Sequence, residues 1–222
     1  RNITCRILSL GLSPFLILAT DSVIIIVMNT VLQHYGGPTE GDLLITCATI
    51  VQSYMMLITG PMLGISSGTQ AILSYNYGAK ATKRVKKAET YILLLCLCFT
   101  SLMFLLSRIV PQYFIGIFTK DPGLTDLCIW GIGTFTLMIV PLSFQYVFVD
   151  GFTALGRSKT ALFLSLFRKG DYVLFTIVLP IFYSARSAFY AQPLADGIAA
   201  IMSTVAFLLI FKKHLQKQEV SL

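Results

Sequence analysis

The chain has 222 residues, of which 55% are hydrophobic and 12% charged, with a mean hydropathy of +0.77. A soluble domain carries about 25% charged residues, so this sequence has too little polar surface to coat a water-soluble globule, and its hydrophobicity excludes disorder. The net charge of +7 suits either nucleic acid or the basic loops of a membrane protein, and the placement of the charges decides between them.

A bilayer-spanning helix needs about 20 apolar residues, and the apolar stock serves about six. The first span is predicted over residues 7–32, with Pro14 and Asp21 inside it. The turn Gly36-Gly37-Pro38 follows, with Glu40 and Asp42. The second span covers residues 43–75. At about 1.5 Å per residue it outruns a hydrocarbon core of about 30 Å. It must protrude, tilt or kink, and Gly60-Pro61 is the expected kink. A basic segment from Lys80 to Lys87 leads to the third span, 91–110. A short apolar piece and the turn Asp121-Pro122-Gly123 precede the fourth, 127–152. The basic loop Leu155–Lys159 joins it to the fifth, 160–183. The sixth, 193–211, follows the polar-aromatic loop Ser184–Gln192. Barrel strands alternate over about 10 residues, whereas these runs are continuous. The expected fold is all-α: a polytopic membrane protein, one six-helix lobe spanning residues 1–222.

Basic residues gather on one side: Arg1 and Arg6, Lys80 to Lys87, Arg157 and Lys159, and the tail Lys212, Lys213 and Lys217. The opposite loops hold only Lys120 and Arg186, beside Glu40, Asp42, Asp121 and Asp126. The positive-inside rule then puts both termini in the cytoplasm, as an even number of spans requires. Charge that alternates by loop forms no stripe for nucleic acid. The five cysteines are odd in number and lie mostly in apolar runs, so they read as packing residues. No metal motif, phosphate loop or catalytic constellation is present, so no enzyme is expected.

Gly60, Gly64 and Gly68 recur every four residues on one helix face. Small residues at this spacing let helix backbones approach closely in lipid. They imply tight packing at the bundle centre, either static or as a sliding gate eased by Pro61. Ionisable groups inside a bilayer face a cavity or a partner. Asp21 sits near mid-membrane with no basic neighbour in sequence, and reads as a proton or sodium site or as a structural carboxyl. Asp150 reads as the partner of a nearby Arg or Lys. Arg168, Lys169 and Asp171 either snorkel or line a vestibule. Arg108 reads as a snorkelling residue, and Asp196 as an ordinary acid in the first turn of a helix opening at Pro193. Gln52, Gln70, Asn76 and Gln145 are embedded uncharged groups. They suit the wall or gate of a cavity for amphipathic cations, with Met55, Met56 and Tyr146 beside them; lipid-facing packing is the competing reading.

These residues also form a recognisable order. Gly60-Pro61, Gly64, Gly68, Gln70 and then Ser74-Tyr75-Asn76-Tyr77-Gly78-Ala79-Lys80 resemble the pattern of the multidrug and toxic compound extrusion (MATE) transporters. Phe118-Thr119-Lys120-Asp121-Pro122 and Ala154-Leu155-Gly156-Arg157-Ser158-Lys159, followed by Arg168, are similar to further motifs of that family. So are Tyr35-Gly36-Gly37-Pro38 and Pro193-Leu194-Ala195-Asp196. The resemblance covers nearly the whole chain.

That family has twelve helices in two lobes and exchanges sodium ions or protons for organic cations. The motif order here resembles the C-terminal lobe, helices seven to twelve, of the bacterial drug-efflux branch. The resemblance implies a missing N-terminal lobe as partner, small organic cations as substrates, a bilayer and no nucleic acid. It also implies Na+ or H+ as the coupling ion, with no cofactor, in a bacterial inner membrane. Asp21 lies at or within one residue of the family's coupling carboxylate. A second family carboxylate falls on Gln145 here, a departure that weakens a two-carboxylate site. The alternatives are a lipid-linked oligosaccharide or polysaccharide flippase of similar fold, and a non-transporting truncated membrane protein. A start at Arg1 without Met is what a fragment would show.

Overall fold

The computed structural model describes the backbone of residues 2–211 and the side chains of residues 19–210. Arg1, Lys212, Lys213 and Lys217 lie outside the described residues, as do the side chains of Arg6 and Pro14. No strand occurs among the described residues. The long helices are α1 (Asn2–Gly68), α2 (Gln70–Gly78), α3 (Thr82–Ile109), α4 (Pro111–Ile115), α5 (Pro122–Phe135), α6 (Ile139–Ala154), α7 (Ser158–Phe182) and α8 (Ala191–Ala206). Short 3-10 turns at Thr136–Met138 and Ala185–Tyr190 link α5 to α6 and lead into α8.

α1 is two arms folded back at Gly37. That residue has φ 64° and ψ −166°, a backbone conformation that costs a side-chain-bearing residue strain. Beside it, a Cβ on Gly36 would lie 2.8 Å from the Gly41 backbone, so the reversal needs glycine twice. Past the turn the arms pack together, Met28, Val31 and Leu32 sharing one buried cluster with Leu44, Cys47 and Ala48. Ile132 and Phe135 of α5 and Phe189 complete that cluster. A second cluster joins Met62 and Leu73 to Val85, Ile92 and Cys96 of α3 and to Leu142 and Phe148 of α6. α8 lies against α6 and α7, and α7 against α1.

Among the described residues, four stretches are long and apolar enough to cross a membrane: Ala19–Gly78, Thr82–Ile109, Pro122–Ala154 and Ala185–Ile210. The first is folded at Gly37 into two legs. α7 is 25 residues long but carries Arg168, Lys169 and Asp171 in its middle. The described residues thus run as six helical legs. On α3, Leu94, Leu95, Leu102, Leu105 and Ile109 are exposed, the face a lipid would cover. On its other face, Thr100 Oγ1 lies 2.8 Å from Ser143 Oγ, and Ser107 Oγ lies 3.1 Å from Thr136 Oγ1. Hydroxyl bridges of this kind fix which helices pair where apolar contact alone does not discriminate, at about 0.6 kcal/mol each.

Two expectations are revised here. The break in the second leg falls at Thr69, not at Gly60-Pro61, where the backbone stays helical. Thr69 Oγ1 donates to the carbonyls of Ile65 (2.8 Å) and Ser66 (2.9 Å). And Gly60, Gly64 and Gly68 do not pack at the bundle centre. A Cβ built on any of them meets nothing within 4 Å among the described residues. Spacing identifies a shared helix face, but not the direction in which that face points.

Candidate functional site

Adjacent residues on a helix point about 100° apart, and α7 uses this to send two cations to two neighbours. Arg168 Nη1 lies 3.0 Å from Asp196 Oδ1 on α8. Lys169 Nζ lies 2.6 Å from Asp21 Oδ1 on the first arm of α1. Gln192 Nε2 donates to the other Asp196 oxygen at 2.7 Å, and the Arg168 guanidinium stands 5.6 Å from the Tyr146 ring centroid. Asp21, Arg168, Lys169, Gln192 and Tyr146 line a cleft of about 170 Å³, walled further by Gln52, Met55 and Met56, with the buried Asp196 held behind Arg168. Two cations and two anions face one another there, so the cluster is charge-balanced.

The two pairs differ in exposure. Asp196 is fully buried, so its pair with Arg168 is a structural clamp between α7 and α8. Lys169 is 6% exposed, but Asp21 is 54% exposed. The carboxylate end of that pair therefore stays open to whatever enters the cleft. Asp196 is not a first-turn acid, because α8 begins at Ala191 and carries it one turn further in.

Of the other sequence candidates, Gln52 reaches the cleft and Gln70 does not. Gln70 Nε2 donates to Asp150 Oδ1 at 2.8 Å, and Ser66 Oγ donates to Asp150 Oδ2 at 2.6 Å. Asp150 is thus held by neutral groups on both sides of the Thr69 break, and by no Arg or Lys among the described residues. Gln145 is buried between α6 and α7, its Nε2 donating to the Leu164 carbonyl at 3.3 Å. Asn76 bonds back to the Ile72 carbonyl of its own helix. Asp171 Oδ2 has no hydrogen-bond partner among the described residues. Arg108 is exposed, with its guanidinium over the Phe104 ring at 4.7 Å and beside Gly133 of α5. Glycines and Pro61 run from the cleft toward Thr69: Met56, Gly60, Gly64 and Gly68 form one exposed i+4 stripe.

Sequence reasoning missed the pairing of Lys169 with Asp21 and the clamp role of Asp196. It also missed Glu89, which is 4% exposed on α3. The usable signal was there: an acid sitting after a basic run, at the start of an apolar helix.

The profile of the MatE family matches residues 15–179. The chain belongs to the MatE family. Among solved structures, an inward-facing and an outward-facing multidrug resistance MATE family transporter of the MOP superfamily both superpose with a TM-score of 0.83 at 19% identity. The matches cover 99% of this chain and 49% and 48% of those chains. A MOP superfamily transporter from Pyrococcus furiosus, described as having a binding pocket of reverse polarity that suggests a different function, matches with a TM-score of 0.81 at 19% identity. There, 99% of this chain and 48% of that chain are covered. At this identity the likeness establishes the fold. The chain spans about half the length of the solved structures it matches. No curated protein matches the sequence. Its family and its apolar legs make the chain part of a multi-pass membrane protein.

Proposed function

We propose that this chain acts as the C-terminal lobe of a secondary transporter that exports organic cations in exchange for protons or sodium ions, in a bacterial inner membrane with both termini cytoplasmic. The observation that carries the reading is the Asp21–Lys169 pair, whose ammonium is buried and whose carboxylate is open to the cleft. A cation arriving in the cleft competes with the Lys169 ammonium for Asp21. Coupling ion and cargo then share one carboxylate, and binding of one releases the other. Gln52, Met55 and Met56 give the cleft the mix of amide and polarisable apolar surface that amphipathic cations need.

The opposite wall of the cleft would come from a second lobe. The open glycine stripe, with nothing within 4 Å, supports a close backbone approach by that lobe. A flippase for anionic lipid-linked sugars would want a basic cavity. Here Arg168 and Lys169 are neutralised by Asp196 and Asp21, which does not favour it.

The test is efflux of a fluorescent organic cation from cells carrying the complete protein, driven by a pH or sodium gradient. Asp21→Asn abolishes gradient-driven efflux under this reading. Efflux that survives the substitution unchanged removes Asp21 from the mechanism.

A further inference from the structure

A second ionisable cluster lies away from the cleft, at the end of the bundle that carries the basic loops. Glu89 sits on α3 and its side chain is 4% exposed. Neither of its carboxylate oxygens has a hydrogen-bond partner among the described residues. The carboxylate is aimed at the backbone of α6: a Cβ added to Gly151 would lie 2.5 Å from Glu89 Oε1. Gly151 thus leaves the space that the carboxylate occupies, and Asp150 is the next residue. Asp150 acts on Glu89 electrostatically, and its own oxygens are held by Ser66 and Gln70.

Val85 and Ile92, about one turn before and after Glu89 on α3, belong to a buried cluster that also holds Leu73 of α2 and Ala154 of α6, with Tyr77 of α2 packed on it. Cys96 on α3 and Tyr146 on α6 also sense the Asp150 charge. Lys86, three residues before Glu89 on α3, has contacts of its own. An ionised carboxylate buried without a partner is strongly unfavourable, and here a second carboxylate adds repulsion. A positive charge is needed between them.

We propose that Glu89 and Asp150 form a second cation site in this lobe, separate from Asp21, which takes up one monovalent positive charge, a proton or a sodium ion. Its position gives it a lever. The two oxygens of Asp150 hold Ser66 at the end of α1 and Gln70 at the start of α2, the two sides of the helix break at Thr69. Gain or loss of the charge changes how firmly Asp150 holds that joint, and so biases the angle between α1 and α2.

The test uses the full-length protein purified in detergent, in an Asp21→Asn background so that the cleft carboxylate contributes nothing. Binding of radioactive sodium reads the metal ion, and pH-difference infrared spectroscopy reads the C=O stretch of a protonated carboxylic acid. Glu89→Gln added to that background is expected to remove one of the two signals, and Glu89→Asp to retain it. Loss of the infrared band assigns a proton, and loss of sodium binding assigns sodium. If Glu89→Gln is not monodisperse on size exclusion, Asp150→Asn carries the same expectation. The proposal is overturned if the added substitution leaves both signals unchanged, or if Asp21→Asn alone already removes both.

Discussion

Lys169 and Asp21 form an ion pair whose two ends live in different surroundings, an ammonium 6% exposed and a carboxylate 54% exposed, 2.6 Å apart. Arg168, the preceding residue, makes the opposite kind of pair, with a carboxylate that water does not reach at all. One helix position thus builds a fixed clamp and the next an openable contact.

That contrast predicts a stability order. Asp196→Asn leaves the Arg168 guanidinium without its buried counter-charge, and removing one partner of a buried pair costs about 3–5 kcal/mol. Asp21→Asn costs less, because the carboxylate end is open to solvent and partly screened. Thermal unfolding of the full-length protein in detergent, followed by tryptophan fluorescence, should show the larger drop in melting temperature for Asp196→Asn. Equal drops would mean that both pairs are structural.

The reversal at Gly37 predicts a sensitive hinge. Gly37→Ala forces a side chain into the φ 64°, ψ −166° conformation, a strain of about 1–3 kcal/mol. Gly36→Ala drives a Cβ to 2.8 Å from the Gly41 backbone, where neither side can yield. Both variants should lose monodispersity on size exclusion after mild heating, while Gly60→Ala, with open space around it, should not.

The glycine stripe separates packing within the lobe from docking between lobes. A Cβ on Gly64 meets nothing within 4 Å among the described residues, and replacing this mid-helix glycine by leucine gains up to about 1 kcal/mol of helix propensity. If a second lobe closes on the stripe, gradient-driven efflux of a fluorescent cation falls in Gly64→Leu although the protein expresses and melts as before. Unchanged efflux would show that the stripe faces lipid.

Glu89 and Gly151 should be energetically coupled. Gly151→Ala pushes the carboxylate aside at a cost of about 1–3 kcal/mol for overpacking, toward the lower end because the end of a side chain can swing. Glu89→Ala removes the obstacle. A double-mutant cycle on thermal stability should therefore give a coupling of about 0.5–3 kcal/mol, with the double variant more stable than the sum of the two singles predicts. Additive effects would place the carboxylate elsewhere.

Much of the architecture was legible beforehand, for specific reasons. Gly36-Gly37-Pro38 announced a reversal because only glycine tolerates that backbone. Asp121-Pro122-Gly123 announced only a turn before a span at 127, whereas the helix begins inside that turn, at Pro122, with Asp121 Oδ1 accepting from the Gly123 amide at 3.1 Å. Gly60-Pro61 misled as a break point, because proline accepts a helical φ and the backbone there stays helical, whereas the interruption lies at Thr69. Asp196 misled in the same way: its place after Pro193 looked like a helix start, but the helix begins earlier, at Ala191.

By itself the amino-acid sequence determined the solvent, the helical legs and the family. These depend on length, composition and motif order, all of which are linear in the chain. Only the tertiary structure decided which acid meets which base. Arg168 reaches Asp196, Lys169 reaches Asp21, and Glu89 ends against Gly151 without a hydrogen-bond partner among the described residues. The physical reason is rotational. A helix displays its side chains all round its axis, so partners are chosen by the angle at which each helix turns toward its neighbours. That angle is set by packing between legs that are distant in sequence.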